Sequence, residues 1–210
     1  MRLGGLTMVL TGLMLIAACG NPATNKSQAV TGEATQAPSA RPAGAEKYSI
    51  TTENSKIEFV GSKVTGSHTG AFQKFSGEID HTGDVATSRV RVTMETDSLT
   101  TDTPDLTKHL KTADFFDVAK YPQATFESTA IRPGGDKGAS HTVTGNLTLH
   151  GATKSVTFPA TIAVAPDAIT VDASFTINRK DFGINYAGAA DNLIRDDVVL
   201  TLKIKATKTS

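Results

Sequence analysis

The sequence predicts an all-β fold, either an antiparallel sandwich or an up-and-down barrel, with one short helix. Two observations support this prediction. From Lys47 onward, apolar and polar residues alternate with a period of two, which is the pattern of strands with one buried face and one solvent-exposed face. The alternating runs number about eight, and short turn signals such as those at 81–84 and 133–136 separate them.

The strands follow one another with few interruptions. They are expected, in chain order, at 48–52, 56–64, 70–81, 88–96, 124–132, 143–149, 156–164, 169–178 and 198–205. In the last four the inward face is clearest. It carries Val143, Gly145, Leu147 and Leu149; then Val156, Phe158, Ile162 and Val164; then Ile169, Val171, Ala173, Phe175 and Ile177; and finally Val198, Leu200, Leu202 and Ile204.

One segment departs from this alternation. Residues 103–111 offer Thr103 as a cap, Pro104 at the first helical position and leucines four residues apart, which predicts a short amphipathic helix. Residues 113–118 are expected to add a second helical turn. Phe115 and Phe116, side by side in an all-β chain, suggest a lid or plug over one end of the barrel; the alternative is that they only cap the core.

The N-terminus has the pattern of an export signal. A single charge at Arg2 precedes an apolar run over 6–16, and small residues then lead to Cys19. The ending 16–19 resembles the bacterial lipobox, which implies that residues 1–18 are a lipoprotein signal peptide and that Cys19 carries acyl chains such as palmitate. The alternative is an ordinary secretory signal with a chance cysteine.

Composition excludes several classes of function. The chain has 21 basic and 21 acidic residues, so a nucleic-acid partner is not expected. Cys19 is the only cysteine, which leaves no disulfide and no thiolate metal site. The histidines lack metal-ligand spacing, and no catalytic motif appears. Residues 19–46 are poor in bulky apolar side chains and are predicted to be the lipidated cysteine and a flexible tether ahead of a domain at 47–210. The alternative for the tether is an ordered extra strand.

Motifs along the domain resemble the YceI-like, polyisoprenoid-binding family. They lie at 114–117, 121–122, 125–128, 145–154, 178–184 and 197–198. The resemblance implies an extended, lipocalin-like, eight-stranded antiparallel barrel in the periplasm whose interior holds a long isoprenoid or fatty-acyl chain, with no catalytic residues, no cofactor besides that lipid, and a possible homodimer. Two departures concern the headgroup: Lys63 stands where many members have His, and Leu106-Thr107-Lys108 replaces an Arg-Asp pair ahead of His109.

Candidate ligand contacts are mostly aromatic. They are Phe59, Phe72, Phe75, Leu110, Phe115, Phe116, Phe126, Phe158, Phe175 and Phe182, for which plain core packing is the alternative. Headgroup candidates are His109, which Asp105 could orient, and Arg179, for which the alternative is a structural ion pair with Asp181 or Asp197.

Three functions follow from these expectations. The leading one is an envelope-anchored carrier, reservoir or sensor of a long apolar lipid such as a polyisoprenoid or an isoprenoid quinone. The alternatives are an enzyme that acts on an isoprenoid through His109 or Arg179, and a ligand-free structural or interaction module with a solid core. Because Gly20 rather than Asp follows Cys19, resemblance to enterobacterial sorting favours the outer membrane over the inner one.

Overall fold

The computed structural model describes residues 20–37, 40–190 and 192–209. The predicted leader and Cys19 lie outside these residues. The strands are β1 (Ser27–Gln28), β2 (Val30–Glu33), β3 (Glu46–Ile50), β4 (Lys56–Ser62), β5 (Ser67–Phe72), β6 (Phe75–His81), β7 (Arg89–Glu95), β8 (Leu99–Thr101), β9 (Gln123–Pro133), β10 (His141–Leu149), β11 (Ala152–Val164), β12 (Ala168–Asn178), β13 (Gly188–Ala189), β14 (Asn192–Leu193) and β15 (Asp197–Lys208). The helix α1 spans Pro104–Leu110.

The strands form a closed eight-stranded antiparallel barrel, which confirms the predicted barrel. The barrel has eight strand positions, and two consecutive strands share each of three of these positions: β3 with β4, β5 with β6, and β7 with β8. β9, β10, β11, β12 and β15 supply the other five, and pairing of β15 with β12, β3 and β4 closes the cylinder. The strand expected at 70–81 is therefore divided between β5 and β6, and the strands expected at 48–52 and 56–64 share one strand position of the barrel.

The core follows the predicted alternation. On β10, Val143, Leu147 and Leu149 are buried, as are Ala173, Phe175 and Ile177 on β12. Cross-strand pairs place inward residues opposite one another, as with Phe175 and Leu200. Val164 is an exception at 45% exposure, because it lies where β11 ends.

The long connections between strands gather at one end of the barrel, called the helix end below. They are α1, the turns that follow it, and the segment between β12 and β15. The opposite end, where β6 ends and β7 begins, is called the far end. Within the described part of the chain, no helix is both long enough and apolar enough to cross a membrane.

The helix forms where the sequence predicts, but the second helical turn does not. Thr103 is extended at the N-cap, Pro104 occupies the first turn, and Leu110 is buried. Residues 111–122 form successive turns, and Asp117 has a φ of 44°. A left-handed residue interrupts a right-handed helical path, so the prediction of helix at 113–118 was wrong.

A tight hairpin explains part of the motif at 145–154. His150 and Gly151 form the two-residue turn between β10 and β11 and have φ values of 51° and 77°. A Cβ atom at residue 151 would lie 2.4 Å from the ring of Tyr121, so glycine is needed for space as well as for conformation. The His150 ring packs against the same tyrosine at 4.8 Å.

The segment expected to be a flexible tether contributes two strands to the barrel wall. β11 and β12 pair with each other only near the far end, from Thr161–Asp172 to Val164–Ile169. Toward the helix end these strands separate. β1 pairs in parallel with β12 and β2 pairs antiparallel with β11, so residues 27–33, called the strap below, fill the gap.

Backbone hydrogen bonds explain why the strap is ordered despite its polar sequence. The Ala29 N–H donates to the Thr176 carbonyl at 2.8 Å, and Ala29 is 7% exposed. Two open strand edges supply partners that composition does not reveal, and these bonds offset the ordering entropy. The expectation of a flexible tether is therefore wrong over the strap, and the alternative of an ordered strand describes it.

Candidate functional site

The barrel contains an elongated apolar cavity of about 240 Å³. It runs from Ser62 and Arg179 at the helix end to Ile131 and Ile204 toward the far end. The wall between these ends is formed by inward aliphatic and aromatic side chains, among them Ile50, Ile57, Ile79, Val92, Met94, Ala124, Val143, Leu147, Val156, Val171, Val198, Leu200 and Leu202. Such a space suits a slender apolar chain and offers no hydrogen-bonding groups along most of its length.

Most of the predicted contact residues line this cavity. They are Phe59, Phe72, Leu110, Phe115, Phe116, Phe126, Phe158 and Phe175. The structure does not bring the other two to it. Phe75 is buried opposite Met94 in the β6–β7 pair, and Phe182 is fully buried in a short 3-10 helix after β12. Alternation identifies inward residues but does not tell which of them border empty space.

The lining aromatics form two clusters. At the helix end, the ring centroids of Phe59, Phe72 and Phe116 lie 5.9–6.3 Å apart. Phe116 belongs to the turns after α1 and not to a strand, so these turns contribute to the cavity wall. The second cluster joins β11 and β12, where Phe158 stacks on Phe175 with 4.1 Å between ring centroids. These clusters give the cavity rigid sides, because aromatic pairs hold preferred offset and edge-on geometries.

Arg179 borders the cavity but is held by protein groups. Its Nη1 donates to the Ile184 carbonyl at 2.7 Å, and Nε donates to the Arg195 carbonyl at 3.2 Å. Its ion pair is with Asp196 at 3.3 Å, which corrects the expected pairing with Asp181 or Asp197. Burial lowers the pKa of Arg179, and the nearby Asp196 carboxylate opposes that shift. These bonds tie the segment before β15 to the end of β12.

His109 lies at the helix end but does not border the cavity. Its Nε2 is 2.8 Å from Asp114 Oδ2, and its ring packs edge-on against Phe115 and Tyr186 at 5.1 Å. Asp105 pairs with Lys108 instead, so the expected orientation of His109 by Asp105 is wrong. The turns after α1 bring Asp114 back to the histidine, which helical spacing alone does not predict.

Sequence reasoning did not select three polar residues that line the cavity at the helix end: Ser62, Lys63 and His68. His68 Nδ1 is 2.9 Å from Asp102 Oδ1. A hydrogen bond from the backbone N–H of Thr69 lowers the pKa of Asp102, and a hydrogen bond from His68 lowers it further. Lys63 departs from the family pattern, and its place at the end of an alternating strand is the signal that points to the cavity rim.

The described residues contain no cluster of three or more histidine, cysteine, aspartate or glutamate side chains that could hold a metal ion. The polar groups of the described lining lie at the helix end rather than within the barrel. The arrangement is therefore an apolar tunnel with a polar rim.

Comparisons with known proteins agree with this architecture. A family model described as the YceI-like domain matches residues 48–206. A UPF0312 protein of Pseudomonas putida strain W619 is 40% identical over 138 residues, covering 61% of this chain and 70% of that protein.

Solved structures show the same fold. Burkholderia cenocepacia BcnA has a TM-score of 0.67 and 28% identity, and the match covers 75% of this chain and 99% of that one. A domain from Saccharophagus degradans described as polyisoprenoid binding has a TM-score of 0.62 at 17% identity, with 79% and 99% covered. A Campylobacter jejuni YceI protein has a TM-score of 0.59 at 25% identity, with 67% and 85% covered. With the family model matching most of its length, this chain belongs to the YceI-like domain family.

Proposed function

We propose that this protein holds a long apolar lipid, a polyisoprenoid, an isoprenoid quinone or a fatty-acyl chain, inside its barrel as a carrier, reservoir or sensor in the bacterial envelope. The observation that carries the proposal is the cavity inside the barrel, whose wall is apolar from Ile204 to the rim at Ser62. The S. degradans relative described as polyisoprenoid binding supports the same class of ligand. A solidly packed interaction module would have no such space.

Energetics favour exchange over permanent trapping. Transfer of a chain of about thirty carbons from water would release more free energy than the practical affinity ceiling near 20 kcal/mol. The lipid comes from a bilayer of similar apolarity, however, so its net transfer into the barrel is close to neutral. A protein that stays at the membrane can load and unload such a lipid.

We further propose that Cys19 is lipidated and that the protein faces the periplasm from the outer membrane. Gly20, Asn21 and Pro22 line a small groove at the helix end, together with Ser62 and Lys63, which also border the cavity. An acyl anchor one residue before Gly20 would therefore hold the polar rim of the cavity close to the bilayer surface. Two or three acyl chains give an essentially permanent anchor.

Native and denaturing mass spectrometry of the exported Cys19→Ser protein tests the ligand proposal. We expect one co-purified prenyl or fatty-acyl lipid per protein. Leu202→Trp and Val92→Trp, which fill the cavity, should each lose that lipid, and Val164→Trp on the exposed end of β11 should retain it. A ligand-free mass that persists after incubation with prenyl-lipid vesicles would contradict the proposal.

Metabolic labelling with radioactive palmitate tests the anchor. The wild-type protein should incorporate the label and sediment with outer membranes, and Cys19→Ala should do neither. Release of an unlabelled wild-type protein into the soluble fraction would instead indicate an ordinary secretory signal.

A further inference from the structure

The seam between β11 and β12 is held differently from the seams on either side of it. β11 pairs with β10 over residues 152–160, and β12 pairs with β15 along its whole length. β11 and β12 pair directly with each other only between 161–164 and 169–172. Toward the helix end, the strap supplies the hydrogen-bond partners that these two strands do not give each other. Without the strap, the wall would have a slit at this place.

The apolar cavity lies directly behind this seam. Phe158 and Phe175 face each other across it with their rings stacked, and both line the cavity. Val156 and Ile177, two residues nearer the helix end on each strand, also line the cavity and are 1% and 3% exposed. A slit between β11 and β12 would therefore open into the cavity.

The strap is held to the barrel by polar contacts more than by burial. Ala29 is the only buried residue of the strap. Lys154 Nζ lies 2.9 Å from Glu33 Oε1, and the exposed hydroxyl of Ser27 donates to Asp136 at 2.5 Å. Exposed polar contacts contribute little stability each, so the strap belongs to the part of the fold that opens at the lowest free energy.

The strap can detach without opening the cylinder. β1 and β2 are additional to the eight strand positions, and β11 and β12 stay joined through their direct pairing near the far end. A slit along the wall would also let a long chain enter sideways. The chain would not have to thread end-on past the rings of Phe59, Phe72 and Phe116 at the helix end.

We propose that the strap is a gate, and that a long apolar lipid enters and leaves the cavity sideways, between β11 and β12, when the strap detaches. This inference rests on the proposed function, because it describes how the proposed ligand reaches the cavity. The closed strap separates the bound chain from water. The rate of exchange then depends on how often the strap opens, whereas the affinity depends on the cavity.

Two disulfides that fix the strap test the gate. Gln28 pairs with Thr176 on β12, and Gly32 pairs with Ser155 on β11. The Gln28→Cys/Thr176→Cys and Gly32→Cys/Ser155→Cys variants are made in the Cys19→Ser protein, which has no other cysteine. Each is loaded with cis-parinaric acid and mixed with phosphatidylcholine vesicles that carry an NBD-labelled lipid. Energy transfer to this label reports the release of the fatty acid.

We expect oxidation to slow release about tenfold in at least one of the two variants, because the fixed edge of the strap can no longer open. The affinity at equilibrium should stay constant, and reduction should restore the rate. Thr148→Cys/Thr153→Cys is the matched control. It joins β11 to β10, on the other side of β11 from the seam, at a pair whose hydroxyls lie 2.9 Å apart. Its release rate should not depend on oxidation.

Ala29→Asp tests the gate in the opposite direction and needs no disulfide. A carboxylate at this buried position should loosen the strap and accelerate release, and Val30→Asp, at a position 70% exposed, should leave the rate unchanged. Wild-type rates in both oxidised strap variants and in Ala29→Asp would overturn the gate and leave the proposed function intact. Failure of the wild type to bind cis-parinaric acid at all would contradict the proposed function itself.

Discussion

Arg179 shows how a single buried side chain can organise the rim of a cavity. Its guanidinium joins the end of β12 to carbonyls at Ile184 and Arg195. Lysine has a single ammonium head and cannot satisfy these acceptors in the same plane. The structure thus favours a structural role for Arg179 over direct headgroup contact.

We expect Arg179→Lys to lower the free energy of unfolding by about 1–3 kcal/mol, because buried carbonyls lose their donors. Urea denaturation measures this loss. Lys180→Gln removes a neighbouring, half-exposed partner of Asp196 and should cost less than about 1 kcal/mol. Unchanged stability of Arg179→Lys together with lost lipid binding would instead indicate a headgroup contact.

At the scale of elements, the strap is the least expected part of the wall. It covers the gap between β11 and β12 beside Phe158 and Phe175, both of which line the cavity. Ala29 points inward at 7% exposure, and its neighbour Val30 is 70% exposed.

We expect Ala29→Asp to loosen the strap, because it places a charge against the barrel. Hydrogen exchange should then become about tenfold faster over 154–157 and 173–178 and stay unchanged over 161–164, where β11 and β12 pair directly. Val30→Asp is the matched control and should match the wild type. Equal protection in both variants would show that the strap is not needed to seal the wall.

A second element-scale feature is a cross-strand ion network on β3, β6 and β7. Lys47 Nζ lies 2.7 Å from Glu78 Oε2, and Arg91 pairs with both Glu78 and Asp80. Hydrogen bonds from Lys47 and Arg91 lower the pKa of Glu78 from 4.5 to about 2.

A carboxylate with a lowered pKa stabilises the fold above its unfolded pKa, and that stabilisation disappears as the pH falls from about 4.5 to about 2. We expect Glu78→Gln to lose on the order of 2 kcal/mol at pH 7 and to show a flatter decline through that interval. Chemical denaturation at several pH values measures both effects. Glu95→Gln on β7, an exposed partner of Lys74, should retain the wild-type pH profile, and parallel profiles for all three proteins would refute the network's role.

At the scale of the whole molecule, the chain separates its apolar interior from its polar contacts. Nine phenylalanines and no tryptophan are present, so one introduced tryptophan reports on one position. Phe116 lines the cavity at the helix end, and Phe75 is buried outside it.

We expect a brominated fatty acid to quench most of the fluorescence of Phe116→Trp and little of that of Phe75→Trp. Bromine quenches tryptophan fluorescence by contact, and of these two positions residue 116 borders the cavity whereas residue 75 does not. Titration at constant protein concentration gives the comparison, with the unbrominated acid as control. Equal quenching of both variants would place the ligand on the outer surface.

The sequence by itself determined most of the barrel strands, a helix within 103–111 and the family, since each depends on residues that are close together in the chain or stand in a recognisable order. Period-two alternation identified inward residues such as Val143 and Phe175, because a strand exposes its two faces in turn. The same pattern placed Gly145 inward without giving its reason. A Cβ atom there would lie 2.4 Å from the Phe126 ring, a contact between strands.

Only the tertiary structure decided which inward residues border the cavity, which carboxylate pairs with Arg179, and how residues 27–33 complete the wall. Each of these depends on contacts between segments far apart in the chain. Periodicity is a local property. It does not tell how much empty space remains inside the closed barrel, or which open strand edge a polar segment will pair with. Phe75 and Phe182 illustrate the limit: both were predicted to contact the ligand, yet both are buried in the core and neither lines the cavity.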